Sequence, residues 1–221
     1  MTEEQWAAVD RYFARQLIPP GEALDAVLAA NAAAGLPAID VSPLQGKLLY
    51  LLARIVGARK ILEIGTLGGT STIWLARALS QDGLVVTLEA DHDHAAVARS
   101  NFARAGLAAH IDLRVGPALE TLPALEAERI GPFDLIFIDA DKANHAEYLA
   151  WAIRLSRPGS VIVGDNVVRE GAILAPDGSD PEVRGIRRFF DLLATEPRLS
   201  ATAIQTLGTK GWDGFALAVI E

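Results

Sequence analysis

Residues 61–71 read Ile61-Leu62-Glu63-Ile64-Gly65-Thr66-Leu67-Gly68-Gly69-Thr70-Ser71. A short apolar run enters a glycine-rich turn, and a helical pattern follows. That is how a strand-to-helix corner reads. Four more apolar runs come after it, at 84–89, 111–115, 133–139 and 160–165. Their starts are 23, 27, 22 and 27 residues apart, about the length of one strand plus one crossover helix. The runs are mostly continuous rather than alternating, as expected for strands covered on both faces. The tail differs. Runs at 199–207 and 215–220 flank Gly208-Thr-Lys-Gly-Trp-Asp-Gly214, a hairpin signal. The expected fold is therefore α/β: a doubly wound, Rossmann-like sheet of seven mainly parallel strands, with an antiparallel C-terminal hairpin on one edge.

Ahead of these runs the pattern is helical. Trp6, Val9, Phe13 and Leu17 form an apolar stripe over 3–16, and Pro19-Pro20-Gly21 ends it. A second helical stretch is expected over 22–34 and a third over 42–57, the latter opened by Ser42 as N-cap with Pro43 at the first helical position. We expect one domain over 1–221, with 1–58 as a helical cap and interface and 59–221 as the α/β core. Residues 171–181 are the expected mobile loop.

The chain has 221 residues and a net charge of −8, with no basic surplus for a phosphate backbone. There is no cysteine, which excludes disulfides, thiolate metal sites and cysteine nucleophiles. The longest stretch without a charge, 26–39, has 14 residues and contains Asn, Gly and Pro, too short for a bilayer. The start, Met-Thr-Glu-Glu-Gln-Trp, is acidic and lacks a secretory pattern. The expectation is a cytoplasmic protein without a membrane partner.

Four of the runs end in or beside a carboxylate: Glu63, Glu89, Asp139 and Asp165, the last followed by Asn166. Any one of these would ordinarily cap the next helix. Four at the carboxyl ends of strands in one open sheet converge on a single crevice. The glycines fall at 65, 68 and 69, which fits neither the dinucleotide fingerprint nor a P-loop. Ser71 lacks the second glycine of a nucleophile elbow. Glu89, 24 residues after Gly65, suits two acceptor oxygens facing a ribose diol. Loop and Glu89 together imply an adenosine-bearing ligand without a phosphate.

The run 62–71, the run Phe133-Asp-Leu-Ile-Phe-Ile-Asp139-Ala-Asp141-Lys142, and the pair Asp165-Asn166 resemble class I S-adenosylmethionine-dependent O-methyltransferases. The resemblance is to the cation-dependent branch of catechol and caffeoyl-CoA O-methyltransferases and their bacterial relatives. It extends over nearly the whole chain, including the turn Gly211-Trp-Asp-Gly-Phe215. It implies that Glu63, Gly65, Thr66 and Ser71 contact the methionine part of S-adenosylmethionine. Glu89 would hold the ribose, Ala118 would lie against the adenine, and Asp141 would be a further cofactor contact. Val41 stands where plant members have a threonine, so only a backbone contact can survive there. Asp139, Asp165 and Asn166 would bind a divalent metal, Asp139 also touching the cofactor, and Lys142 would be the general base. Glu170 stands where plant members place an asparagine that meets substrate. A homodimer is implied as well.

Two carboxylates and one amide are hard oxygen donors, which select Mg²⁺, Mn²⁺ or Ca²⁺ over zinc, and Mg²⁺ is the expected ion. A vicinal diol on an aromatic ring is the expected acceptor, with its hydroxyl made acidic by the metal and its proton taken by Lys142. The other readings are a tRNA hydroxyuridine O-methyltransferase and a cofactor-binding protein without catalysis. A nucleotide-linked dehydrogenase is further away, because the glycine spacing is wrong for it. His92 and His94 read as surface or adenine-edge residues, His110 as structural, and His145 as a structural partner of Asp141. Trp6, Trp74 and Trp151 read as core or interface. Trp212 reads equally as a substrate wall or as packing.

Overall fold

The computed structural model describes residues 2–19, 21, 24–175 and 179–221. Pro20 of the expected helix stop, residues 22–23 at the start of the second helical stretch, and residues 176–178 of the expected loop lie outside the described residues.

Three helices come first: α1 (Glu3–Leu17), α2 (Asp25–Ala33) and α3 (Pro43–Ile55). Thr2 and Gln5 close a capping box on α1. Ser42 Oγ accepts from Gln45 N at 3.2 Å, so α3 starts where the Ser-Pro pair predicts. The strands are β1 (Lys60–Ile64), β2 (Leu84–Glu89), β3 (Ile111–Val115), β4 (Phe133–Ile138), β5 (Ser156–Asp165), β6 (Leu199–Gly208) and β7 (Gly211–Ile220). Between them lie α4 (Thr70–Ala78), α5 (His92–Arg104), α6 (Ala118–Ala127), α7 (His145–Arg154) and α8 (Pro181–Thr195).

All seven strands form one sheet in the order β3-β2-β1-β4-β5-β7-β6. The first five are parallel, β7 is antiparallel to β5, and β6 is antiparallel to β7 on the outer edge. Successive strand residues face opposite sides. Accordingly Leu62, Ile64, Ile136 and Ile138 pack into one core layer, while Ile61, Leu135 and Phe137 pack into the other. The order reverses between β1 and β4, so the carboxyl ends of those two strands open a crevice. Among the described residues no helix is long and apolar enough to cross a membrane.

The stripe on α1 forms a helix but is not buried by this chain. None of its residues is buried, and Val9, Tyr12, Phe13 and Leu17 are 50, 54, 46 and 62% exposed. The helix rests on α3 and β6 with its outer apolar face uncovered. Trp74 is core, as expected, and Trp151 stacks beneath Arg154 at 4.3 Å.

Candidate active site

A cavity of about 910 Å³ lies over the carboxyl ends of β1, β2, β4 and β5. Among the residues lining it are Val41, Gly65, Thr66, Ser71, Glu89, Ala118, Asp139, Asp141, Lys142, Asp165 and Asn166. Of the residues singled out in the sequence for cofactor, metal or proton transfer, only Glu63 is not on that surface. It is fully buried, and its Oε2 accepts from the hydroxyls of Thr72 and Thr87. Burial pushes the Glu63 carboxyl up to about 7, hydrogen bonds from Ser71, Thr72 and Thr87 oppose the rise, and the Asp139 charge adds to it.

On the β1–β2 side, Gly65 has φ +101, and a Cβ there would collide with the backbone carbonyl of Asp139. The glycine thus lets the first loop lie against the end of β4. Glu89 Oε2 accepts from the backbone N–H of Thr66 at 3.2 Å and Leu67 at 2.7 Å, and Oε1 accepts from Asp91 N at 2.9 Å. Glu89 therefore shapes the glycine loop, and Oε1, which accepts a single N–H, keeps acceptor capacity on the cavity side. His94 lines the cavity with Nδ1 3.8 Å from Glu89, whereas His92 is exposed. His110 Nδ1 meets the Gly83 carbonyl at 3.2 Å, a structural contact.

On the β4–β5 side, Lys142 Nζ donates to Asp139 Oδ1 at 2.8 Å, and the lysine side chain is 7% exposed. The short turn that carries Lys142 is packed under α8, where a Cβ at Gly185 would collide with the Lys142 carbonyl. Asp165 Oδ2 accepts from Gln45 Nε2 at 2.6 Å, and Oδ1 accepts from Asn166 N at 2.9 Å. Burial, and then the nearby Asp139 charge, push the Asp165 carboxyl up to about 7. Asn166 takes the left-handed conformation, φ 55.

A divalent cation fits this end of the cavity. Two carboxylates and an amide bring oxygen donors to the cavity lining, and a cation would relieve the repulsion between Asp139 and Asp165 that Lys142 only partly offsets. Among the described residues no group of three or more His, Asp or Glu side chains could hold a metal. The set here has only two acids, its third donor being an amide.

Several residues at the site carry no signal in the sequence. Gln45 holds Asp165 across 120 positions of chain. Asp40 lines the cavity, and its Oδ1 accepts from Asn31 Nδ2 at 2.9 Å and Thr70 Oγ1 at 2.6 Å. Arg169, paired with Glu182, lines the mouth, whereas neighbouring Glu170 is exposed and off the cavity. Lys210 Nζ reaches the Ala38 carbonyl at 2.9 Å, and Asp10 Oδ2 accepts from Thr209 N at 2.9 Å, so the cap is tied to the hairpin at the mouth.

One expectation changes, and the open reading of Trp212 resolves to packing. His145 does not pair with Asp141, whose carboxylate is taken by Tyr148 Oη and by Asn144 Nδ2 at 2.6 Å. His145 is instead fully buried edge-on to Phe189, and among the described residues neither ring nitrogen has a side-chain hydrogen-bond partner. Its pKa is pushed down to about 3, mainly by burial and then by Lys142. Trp212 packs on Gly171 and donates to Gln205 Oε1 at 2.9 Å, and it does not line the cavity.

Residues 21–218 match the model of a family described as O-methyltransferase. The chain is 49% identical over 221 residues to a catechol O-methyltransferase of Niastella koreensis, covering 100% of both chains. It is 55% identical over 213 residues to a catechol O-methyltransferase of Mycobacterium tuberculosis, covering 96% of this chain and 95% of that one. Among solved structures, an O-methyltransferase from Bacillus cereus in complex with SAH superposes with a TM-score of 0.98 at 59% identity, covering 100% of both chains.

Proposed function

The chain belongs to the O-methyltransferase family and is an S-adenosylmethionine-dependent O-methyltransferase, and from that premise we propose that it methylates a hydroxyl of a small catechol-like acceptor with the help of a divalent cation, Mg²⁺ by donor chemistry. One observation carries the reading. Asp139, Lys142, Asp165 and Asn166 line the same cavity as Gly65, Ser71 and Glu89. A proton acceptor, three hard oxygen donors and a phosphate-free nucleoside site thus face one space.

S-adenosylmethionine, when bound, supplies the sulfonium methyl group that is transferred. Ser71, Thr66 and the backbone at Gly65 and Val41 would hold its amino-acid end, with Asp141 a further contact. Glu89 would hold its ribose and Ala118 its adenine. Glu63, behind Ser71, would act by fixing Ser71 and Thr72 rather than by direct contact. Asp139, Asp165 and Asn166 would hold the cation, which when bound supplies a Lewis acid toward an acceptor hydroxyl. Lys142 Nζ takes the hydroxyl proton, and Asp139 keeps the amine aimed into the cavity. With both partners held in one cavity, orientation would provide much of the acceleration.

The same reading treats 1–221 as one working unit in the cytoplasm, with 1–58 as cap and interface. It makes the protein a homodimer. Val9, Tyr12, Phe13 and Leu17 of α1, Leu51 and Ile55 of α3, and Ile204 of β6 are exposed apolar residues on neighbouring elements, which supports this part of the reading.

Methyl transfer from labelled S-adenosylmethionine to catechol, caffeate and caffeoyl-CoA tests the function, with an undermodified tRNA as a fourth acceptor. Turnover on catechol or caffeate supports the reading. Turnover on the tRNA alone would replace it with the hydroxyuridine reading.

A further inference from the structure

The loop after β5 is strained in a way that its own sequence does not stabilise. Asn166, Arg169 and Glu170 all lie in the left-handed region, at φ 55, 52 and 53. Asparagine tolerates this region, but Arg169 and Glu170 do not favour it, so the loop persists only if neighbours hold it.

The neighbour is the start of β7. Asp213 Oδ1 accepts from Val168 N at 3.0 Å, from Arg169 N at 3.0 Å and from Gly214 N at 2.9 Å. Val167 N donates to the Gly214 carbonyl at 3.1 Å. Residue 214 must be glycine for this approach, since a Cβ would stand 2.8 Å from Val168 Cγ2 and would collide with the Ile204 carbonyl. Trp212 closes the far end, its ring 3.0 Å from where a Cβ of Gly171 would be. Hydrogen bonds to an ionised acceptor are roughly twice as strong as neutral ones, which suits Asp213 to hold a strained backbone.

We propose that Asp213 is the positioning residue of the acceptor end: by clamping the N–H groups of Val168 and Arg169, it sets the loop that presents Asn166 to the cation and Arg169 to the mouth. This rests on the reading above that Asn166 is a cation donor. Asp213 itself lines the cavity edge, but it acts through the loop rather than on the reacting atoms.

The test compares Asp213→Ala and Asp213→Asn with the unaltered enzyme. Three quantities are measured: Mn²⁺ affinity by calorimetry with SAH present, amide exchange over 166–171, and kcat and KM for catechol. The expected result for Asp213→Ala is about a 10-fold or greater loss of Mn²⁺ affinity, the range seen when a residue supporting a metal ligand is removed. Exchange at Val168 and Arg169 accelerates, KM for catechol rises with kcat falling, and SAH affinity stays close to that of the unaltered enzyme. Asp213→Asn keeps an acceptor oxygen without the charge and falls between the two, which keeps the test intact should the alanine variant not fold. Unchanged exchange in both variants would overturn the clamp. Faster exchange with unchanged Mn²⁺ affinity would overturn its role at the site. If the unaltered enzyme itself binds no Mn²⁺, the cation reading fails and the positioning role toward Asn166 goes with it.

Discussion

Lys142 Nζ donates to Asp139 Oδ1 at 2.8 Å across a single turn, and both side chains face the cavity that also holds the glycine loop. In the proposed reading this buried side chain, held by a carboxylate at a strand end, would receive the acceptor's proton. Lys142→Met keeps the length of the side chain and removes the base. It should lower kcat by about 100- to 10,000-fold while leaving SAH affinity unchanged, measured by steady-state assay and calorimetry. A parallel loss of SAH binding would mean that Lys142 serves the cofactor loop instead.

Glu63 gives a pH signature. Its native carboxyl titrates at about 7, against 4.5 as the ordinary value. Between those pH values the native state holds a proton that the unfolded chain has lost. The contribution of Glu63 is therefore fully present below pH 4.5 and falls as pH rises to 7, by on the order of 3 kcal/mol. His145 works the other way. Its depressed pKa makes its contribution full above 6.5 and lost as pH falls toward 3. The two overlap, so the difference between variant and parent is the useful quantity. Glu63→Gln should gain stability relative to the parent from pH 5 to pH 8 in denaturant melts. A difference that does not move with pH contradicts the assignment.

Gly65 and Gly57 both have positive φ, but only Gly65 is enclosed. Gly57→Ala should cost about 1 kcal/mol, the backbone strain alone. Gly65→Ala should cost at least about 2 kcal/mol, because its Cβ also meets the Asp139 carbonyl, and it should weaken SAH binding as well. Urea unfolding and calorimetry on the two variants check this; equal effects would show that the loop can move away from β4.

The apolar face of α1 predicts the oligomeric state. Phe13→Glu, at a position 46% exposed, should convert a dimer to a monomer in sedimentation equilibrium without loss of helix content. A parent protein that is already monomeric at micromolar concentration would remove the interface.

Much of this was readable before any coordinates. The inner parallel strands announce themselves because strands covered on both faces are nearly continuously apolar, whereas edge strand β3 alternates as Ile-Asp-Leu-Arg-Val; Asp139, Asp165 and Asn166 come at the ends of such runs. What the sequence hides is whatever depends on distant backbone. β5 begins at Ser156 and β7 at Gly211, earlier than the apolar runs, because ladder hydrogen bonds extend into polar residues that look like turn. Gln45 and Asp213 reach the β5 end from remote parts of the chain, and no periodicity encodes that. The α1 stripe predicts a helix correctly, but an apolar stripe does not say whether the chain itself or another surface will cover it. Glu63 ends behind Ser71 rather than on the cavity wall because residue alternation along β1 turns it into the layer beneath α4.

The central claim is that Asp139, Asp165 and Asn166 together hold a cation on which methyl transfer depends. The most direct measurement is methyl transfer to catechol by enzyme stripped with EDTA, before and after titration with Mg²⁺, with SAH affinity followed in parallel. The account predicts that stripping abolishes turnover, that Mg²⁺ restores it in the parent enzyme but not in Asp165→Ala, and that SAH affinity barely changes. Full turnover by the stripped enzyme would contradict it.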